Sequence, residues 1–217
     1  MASLLLSEVC ERLTLADQLL SGRDSMFEPQ DLPGRYGRVI KSIDRLLTAL
    51  ACEGVLAGGW AVWRHGFMGR VTQDVDVVLP ADRIEEFLRV AEVSGFDVLT
   101  IPAGRWPKLN HRETGIHVAI LPEGARHGTT TRPAPTTIPY PSQLGAEQGC
   151  LRYIRLPALI ELKLAAGRSH DENDVLELIR SNAAEVDAIR EHLQRIEPSY
   201  ATRFEELVAR SILDHEQ

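Results

Sequence analysis

A glycine pair, Gly58-Gly59, is followed 15 residues later by two aspartates one residue apart, Asp74 and Asp76, in the run VLAGGWAVWRHGFMGRVTQDVDVVLP. No other feature restricts the chain so tightly. A strand puts residues i and i+2 on one face, so a strand over Asp74 to Leu79 brings two carboxylates within a few ångströms of each other. Like charges that close repel unless a cation lies between them, and an all-oxygen pair suits Mg²⁺. The glycines end a short apolar run, Val55 to Ala57, at a turn where bare backbone N–H groups can meet a phosphate. A phosphate cradle beside a magnesium pair is the equipment of phosphoryl or nucleotidyl transfer.

The chain has 217 residues, 44% of them hydrophobic, enough for a substantial core in one or two domains. No stretch approaches the 18 apolar residues of a membrane span. The opening segment, MASLLLSEVCERLTLADQLL, lacks a basic n-region and carries Glu8 and Glu11, so it reads as an amphipathic helix over Ser3 to Leu20. Cys10, Cys52 and Cys150 are far apart without metal-ligand spacing, which fits small buried hydrophobes in a reducing cytoplasm. The net charge of −7 argues against broad, sequence-blind binding to nucleic acid. Locally the balance inverts: Arg105, Lys108, Arg112, Arg126 and Arg132 face only Glu113 and Glu123 between Ile101 and Pro135, a candidate anion-binding face or a set of loop-solvating arginines.

Periodicity predicts an α+β fold in which strands fill the first two thirds and helices the end. After the first helix comes a connector to Gly34, then a helix over Tyr36 to Cys52. A strand over Val55 to Ala57, a helix over Gly59 to Gly66 and a strand over Asp74 to Leu79 follow. Pro80 and Asp82 open a helix through Val93. Phe96 to Ile101, Lys108 to His111 and Gly115 to Leu121 are strand candidates. Pro122 to Gly149 holds five prolines and little periodicity, and reads as a long functional or disordered loop. A strand over Leu151 to Ile154 precedes helices over Pro157 to Gly167, Asp171 to Ser181, Ala184 to Ile196 and Ser199 to Leu213. The expected division is 1–34, a central domain over 35–155, and a helical region over 156–217.

These motifs resemble the nucleotidyltransferase superfamily, the DNA polymerase beta-like group, whose signature is a strand ending in Gly-Gly or Gly-Ser, a short helix, then Asp-x-Asp on the next strand. Gly58-Gly59-Trp60-Ala61, the run from Arg70 through Thr72 to Asp76, and LKLAAGRSHDEND are similar to the bacterial abortive-infection toxin type and its relatives. The resemblance spans roughly residues 35 to 182. It implies a small mixed twisted sheet flanked by helices, followed by a C-terminal helical bundle. It also implies transfer of a nucleoside monophosphate from an NTP, ATP included, to an acceptor such as a small molecule, a tRNA end or a protein, with an antitoxin partner or a homodimer in the toxin case. Asp74 and Asp76 would hold Mg²⁺ or Mn²⁺, Gly58 and Gly59 would cradle phosphate, and Arg70, Thr72 and Lys163 would bind nucleotide.

Each residue also has a plainer role. Trp60 and Trp63 read as core, and His65 as a structural hydrogen-bonder. Arg70 can pair with an aspartate, Thr72 can support the strand, and Lys163 can snorkel to water from its apolar helix face. Asp171 reads as the N-cap of the next helix, with Asp174 three residues on. The resemblance implies a further carboxylate on the strand beside Asp-x-Asp, where GIHVAIL places Ala119. His117 shares that face and is the candidate base. Otherwise Glu113, Asp97 or Glu123 folds into place, the protein retains nucleotide binding without transfer, or His117 is a buried histidine satisfied by a carbonyl.

Overall fold

The computed structural model describes residues 34–67, 72–100, 102, 104–129, 131–145 and 150–213. The predicted Ser3–Leu20 helix, Cys10 and Arg70 lie outside the described residues.

Helix α1, Gly34–Ala49, presents Val39, Ile40, Ile43, Leu46 and Leu47 inward at helical spacing. Strand β1, Gly54–Ala57, runs straight into helix α2, Gly58–Arg64. Strand β2, Val75–Leu79, leads through a 3₁₀ turn at Ala81–Arg83 to helix α3, Ile84–Val93. Three strands follow: β3, Phe96–Val98; β4, Lys108–His111; and β5, His117–Pro122. The stretch expected as one long loop instead contains a small hairpin, β6 (Gly128–Thr129) with β7 (Arg132–Pro133), and a short helix α4, Pro141–Leu144. Its backbone groups are satisfied locally: Arg126 Nη1 donates to the carbonyls of Ala134 and Pro135 at 2.8 and 2.6 Å. The Thr136 and Tyr200 hydroxyls meet at 3.0 Å and tie the segment to the last helix. Strand β8, Leu151–Tyr153, then precedes four helices: α5, Leu156–Ala166; α6, Ser169–Ser181; α7, Val186–Ile196; and α8, Pro198–Leu213.

The six-stranded sheet has the order β3-β4-β5-β2-β1-β8. It is mixed: β1 is antiparallel to β2 and parallel to β8, and β2 is parallel to β5. The fold is α+β, as the order of elements predicts. None of its described helices is long and apolar enough to cross a membrane.

Strand β2 alternates cleanly. Val75, Val77 and Leu79 face a core built with α1, α3, Trp60 and Trp63. Asp76 and Val78 face the other way, where Val55, Ala57 and Leu121 join the helices α5–α8 in a second core. The aspartates therefore point to the side that the C-terminal helices cover. Phe204 of α8 is fully buried in that second core. Phe204→Ala is expected to cost about 3–5 kcal/mol of unfolding free energy, measured by urea titration.

Candidate active site

Gly58 fixes the geometry around Asp76. It has φ of +63°, and a Cβ built there would lie 1.8 Å from Oδ2 of Asp76. Only a residue without a side chain both adopts this backbone and leaves room for the carboxylate. Gly59, one residue on, is buried in the first turn of α2. Asp74 sits one residue before β2 and is half-buried. Its carbonyl accepts the Trp60 indole N–H at 3.1 Å and the Thr72 hydroxyl at 3.4 Å. Trp60 and Trp63 are thus core residues, as expected, and Trp60 also pins the entry to β2. Thr72 is buried and braces the same turn.

Asp74, Asp76, Gly58 and Thr72 open on one cleft of about 1170 Å³ between the sheet and the start of the helical bundle. Its walls carry Trp106, Lys108, Arg105, Arg126, His127, Lys163, Arg168 and Asp171. Three of the five mid-chain cations, Arg105, Lys108 and Arg126, thus face the cleft. Arg112 instead binds Asp97 at 2.6 Å.

Lys163 lies on a helix buried almost all round, and its ammonium finds two anions. Nζ donates to Asp171 Oδ1 at 2.9 Å and to Asp174 Oδ2 at 2.6 Å, and all three side chains are at most 5% exposed. This corrects the N-cap expected of Asp171. The helix begins two residues earlier, at Ser169, and Asp171 sits in its first turn with its side chain turned inward. From that position its Oδ2 still accepts the Arg168 backbone N–H at 3.4 Å, while Oδ1 answers a buried ammonium that would be costly unpaired. Arg168 adds a bond from Nε to Asp171 Oδ2 at 2.6 Å. Burial alone would push the Asp171 carboxyl up. The Arg168 hydrogen bond and the Lys163 ammonium outweigh it and hold the carboxyl below the ordinary range.

His127, from the unpredicted hairpin, packs edge-on against Trp106 with ring centroids 4.9 Å apart. Burial, then the Arg168 charge, lowers its pKa to about 4, so the ring is neutral at pH 7. Its Nε2 is shielded and, among the described residues, meets no hydrogen-bond partner. Nothing in the sequence around His127 marked it, because only the folded hairpin carries it to Trp106.

The expected neighbour of Asp76 is in register: Ala119 pairs with it across β2 and β5. His117 is exposed at the start of β5 and is not among the residues lining the cleft, so it is neither a buried structural histidine nor a partner of the aspartates. Glu113 pairs with Arg38, Asp97 with Arg112, and Glu123 follows the far end of β5, so none of the three joins Asp74 and Asp76. Among the described residues, no group of three or more His, Cys, Asp or Glu side chains is placed to hold a metal ion. His65 donates to the Ile154 carbonyl at 2.8 Å, the structural role expected of it. Buried Asn182, which carried no signal in the sequence, donates to the His65 carbonyl at 2.8 Å and joins α2 to α6.

Two outcomes check this geometry. Gly58→Ala is expected to destabilise the protein by more than the about 1–3 kcal/mol of left-handed backbone strain, whereas Gly95→Ala, at φ +102° with open space around its Cβ, should show strain alone in the same denaturation assay. The His127 imidazole has a folded pKa below its ordinary 6.5, so between pH 6.5 and about 4 the unfolded chain binds the extra proton and stability falls as pH drops. Stability measured across that window should slope less steeply in His127→Gln than in the wild type.

No family model matches the chain, and no curated protein does. Among solved structures the fold is similar to ANT(2'')-Ia in complex with adenylyl-2''-tobramycin, at 15% identity and a TM-score of 0.48 over 77% of this chain and 97% of that one. It is similar to the solution structure of the antibiotic-resistance factor ANT(2'')-Ia at 17% identity and 0.49, over 83% and 97%. It is also similar to the lincomycin-bound lincosamide antibiotic adenylyltransferase LnuA at 20% and 0.45, over 65% and 94%.

Proposed function

We propose that this protein is a divalent-metal-dependent nucleotidyltransferase, which moves a nucleoside monophosphate from an NTP to a hydroxyl or phosphate acceptor. The supporting observation is the Asp74 and Asp76 pair, opening beside the bare backbone of Gly58 into a cleft whose other wall is cationic.

The donor set suits Mg²⁺ or Mn²⁺. Magnesium is commonly held by one or two carboxylates together with substrate phosphates and water, and here two carboxylates share a face with open space before them. Bound there, the ion would offset charge on the phosphates as pyrophosphate leaves. Every other task falls to the chain. Gly58 seats the Asp76 carboxylate against its bare backbone, and Gly59 continues the side-chain-free stretch assigned to phosphate. Lys163, braced by its two carboxylates, and exposed Arg168 stand on the facing wall as hydrogen-bond donors, and the net positive charge of the cleft comes from Arg105, Lys108 and Arg126, because Asp171 and Asp174 balance the first two. Thr72 holds the Asp74 turn in place. Arg70 is assigned to the phosphates from its place in the motif. His117, outside the cleft, takes no part.

Calorimetry with a non-hydrolysable NTP tests this directly. The wild type is expected to bind with an affinity that depends on Mg²⁺ or Mn²⁺, and Asp76→Asn, which removes a charge while keeping the shape, should weaken that binding at least about tenfold. Binding indifferent to metal and to this substitution would remove the assignment.

One observation favours a second reading. Ala119 stands directly beside Asp76 where a further carboxylate would complete the pair, which fits a protein that binds nucleotide without transferring it. Incubation with labelled NTP and candidate acceptors of each class, small molecule, tRNA and protein, separates the two: binding without any labelled product supports the non-catalytic form.

A further inference from the structure

The strand register sets four residues in one row across the sheet. Ala57 on β1 is opposite Asp76 on β2, Asp76 is beside Ala119 on β5, and Ala119 is opposite Lys108 on β4. Paired residues of neighbouring strands share a face, and all four line the cleft. Lys108 is therefore two strand spacings from Asp76, about 10 Å between backbones, with only a methyl group between them. Its four-carbon stem can carry the ammonium over Ala119 into the space beside Asp76.

Of the other cations of the cleft, Arg105 is exposed and lies off this row of the sheet, and the remaining three are engaged. Lys163 is clamped by Asp171 and Asp174, Arg168 binds Asp171, and Arg126 is spent on the Ala134 and Pro135 carbonyls. Lys108 is half-buried, and among the described residues no hydrogen bond or ion pair holds its ammonium. A partly desolvated ammonium of this kind is stabilised by an anion arriving from outside. It also opposes a second divalent ion on its side of Asp76, through like-charge repulsion.

We propose that Lys108 is a nucleotide-binding residue that contacts the phosphates on the Ala119 side of Asp76, where it stands in for a second metal ion, so that the site works with one. This rests on the nucleotide-binding reading above and names a residue which that reading leaves out. The lysine would meet phosphate oxygens as a point charge, while Asp74 and Asp76 serve the single ion.

The test uses the full chain, a non-hydrolysable NTP and Mn²⁺. Calorimetry should show Lys108→Gln weakening nucleotide affinity about 10- to 100-fold, with Lys108→Arg recovering part of the loss and thermal stability unchanged in both. Paramagnetic resonance on the wild type with saturating nucleotide should count one bound Mn²⁺ per chain. Affinity in Lys108→Gln within twofold of the wild type would overturn the proposal, and so would two bound Mn²⁺ ions. Asp74→Ala separates the layers of the argument. If it leaves affinity unchanged while Lys108→Gln loses it, the metal reading fails and the anion-binding role of Lys108 stands.

Discussion

The contact between the Asp76 carboxylate and the bare Cα of Gly58 is the constraint on which the site depends. It couples two elements that are distant in sequence and antiparallel in space, β1 with its helix and β2. Strand β1 must end where it does, because the left-handed Gly58 turns the chain into α2 at the level of Asp76. Helix α2 in turn supplies Trp60, whose indole N–H reaches back to the Asp74 carbonyl. One short segment, Gly58 to Trp60, thus places both aspartates, the first through its backbone and the second through its side chain. The alternation of β2 then does the rest: three fully apolar positions anchor one face, so the acids are bound to emerge on the other.

The opposite wall obeys a different rule. Helix α5 is buried nearly all round, yet carries Glu161 and Lys163, and each is compensated by a later helix: His192 of α7 donates to Glu161 at 2.7 Å, and two aspartates of α6 take Lys163. Pairs of this kind add little stability compared with apolar packing, but losing one partner leaves a buried charge, so they fix how the helices dock. The docking of α6 against α5 therefore sets the distance between the cationic wall and the sheet. At its other end α6 is tied to α2 instead, through Asn182 and the His65 carbonyl.

Much of the fold was legible in the chain because the signals were local. Strand alternation at Val75 to Leu79, the helical spacing in α1 and the four C-terminal helices all came from period alone, with no end shifted by more than three residues. The glycine pair and Asp-x-Asp stood out as a candidate site because two independent requirements, bare backbone and paired acids, coincide within one super-secondary unit, and Gly58, Asp74 and Asp76 do line one cleft. The rest was illegible for a physical reason. Lys163 announced a buried charge, but not which carboxylates answer it, and local capping rules put Asp171 at the N-cap instead of in the first turn. His127 and Trp106 are brought together only by a two-residue hairpin inside a proline-rich stretch, where periodicity carries no information. The mid-chain cations were visible as a cluster, but only the fold separates Lys108, on β4 and lining the cleft, from Arg112, in the turn after β4 and bound to Asp97.

The surroundings of Asp76 are small on every side: Gly58 above, Ala57 on one neighbouring strand and Ala119 on the other. Small residues leave room beside the carboxylate on the cleft side, and they let a charge two strands away act across the gap. A longer acid at position 119 would lie between Asp76 and Lys108 and pair with the lysine, which would convert an open cation into an internal ion pair. Alanine at 119 therefore need not mark an incomplete site. With alanine there, Lys108, which has no hydrogen-bond or ion-pair partner among the described residues, stays available to an incoming anion.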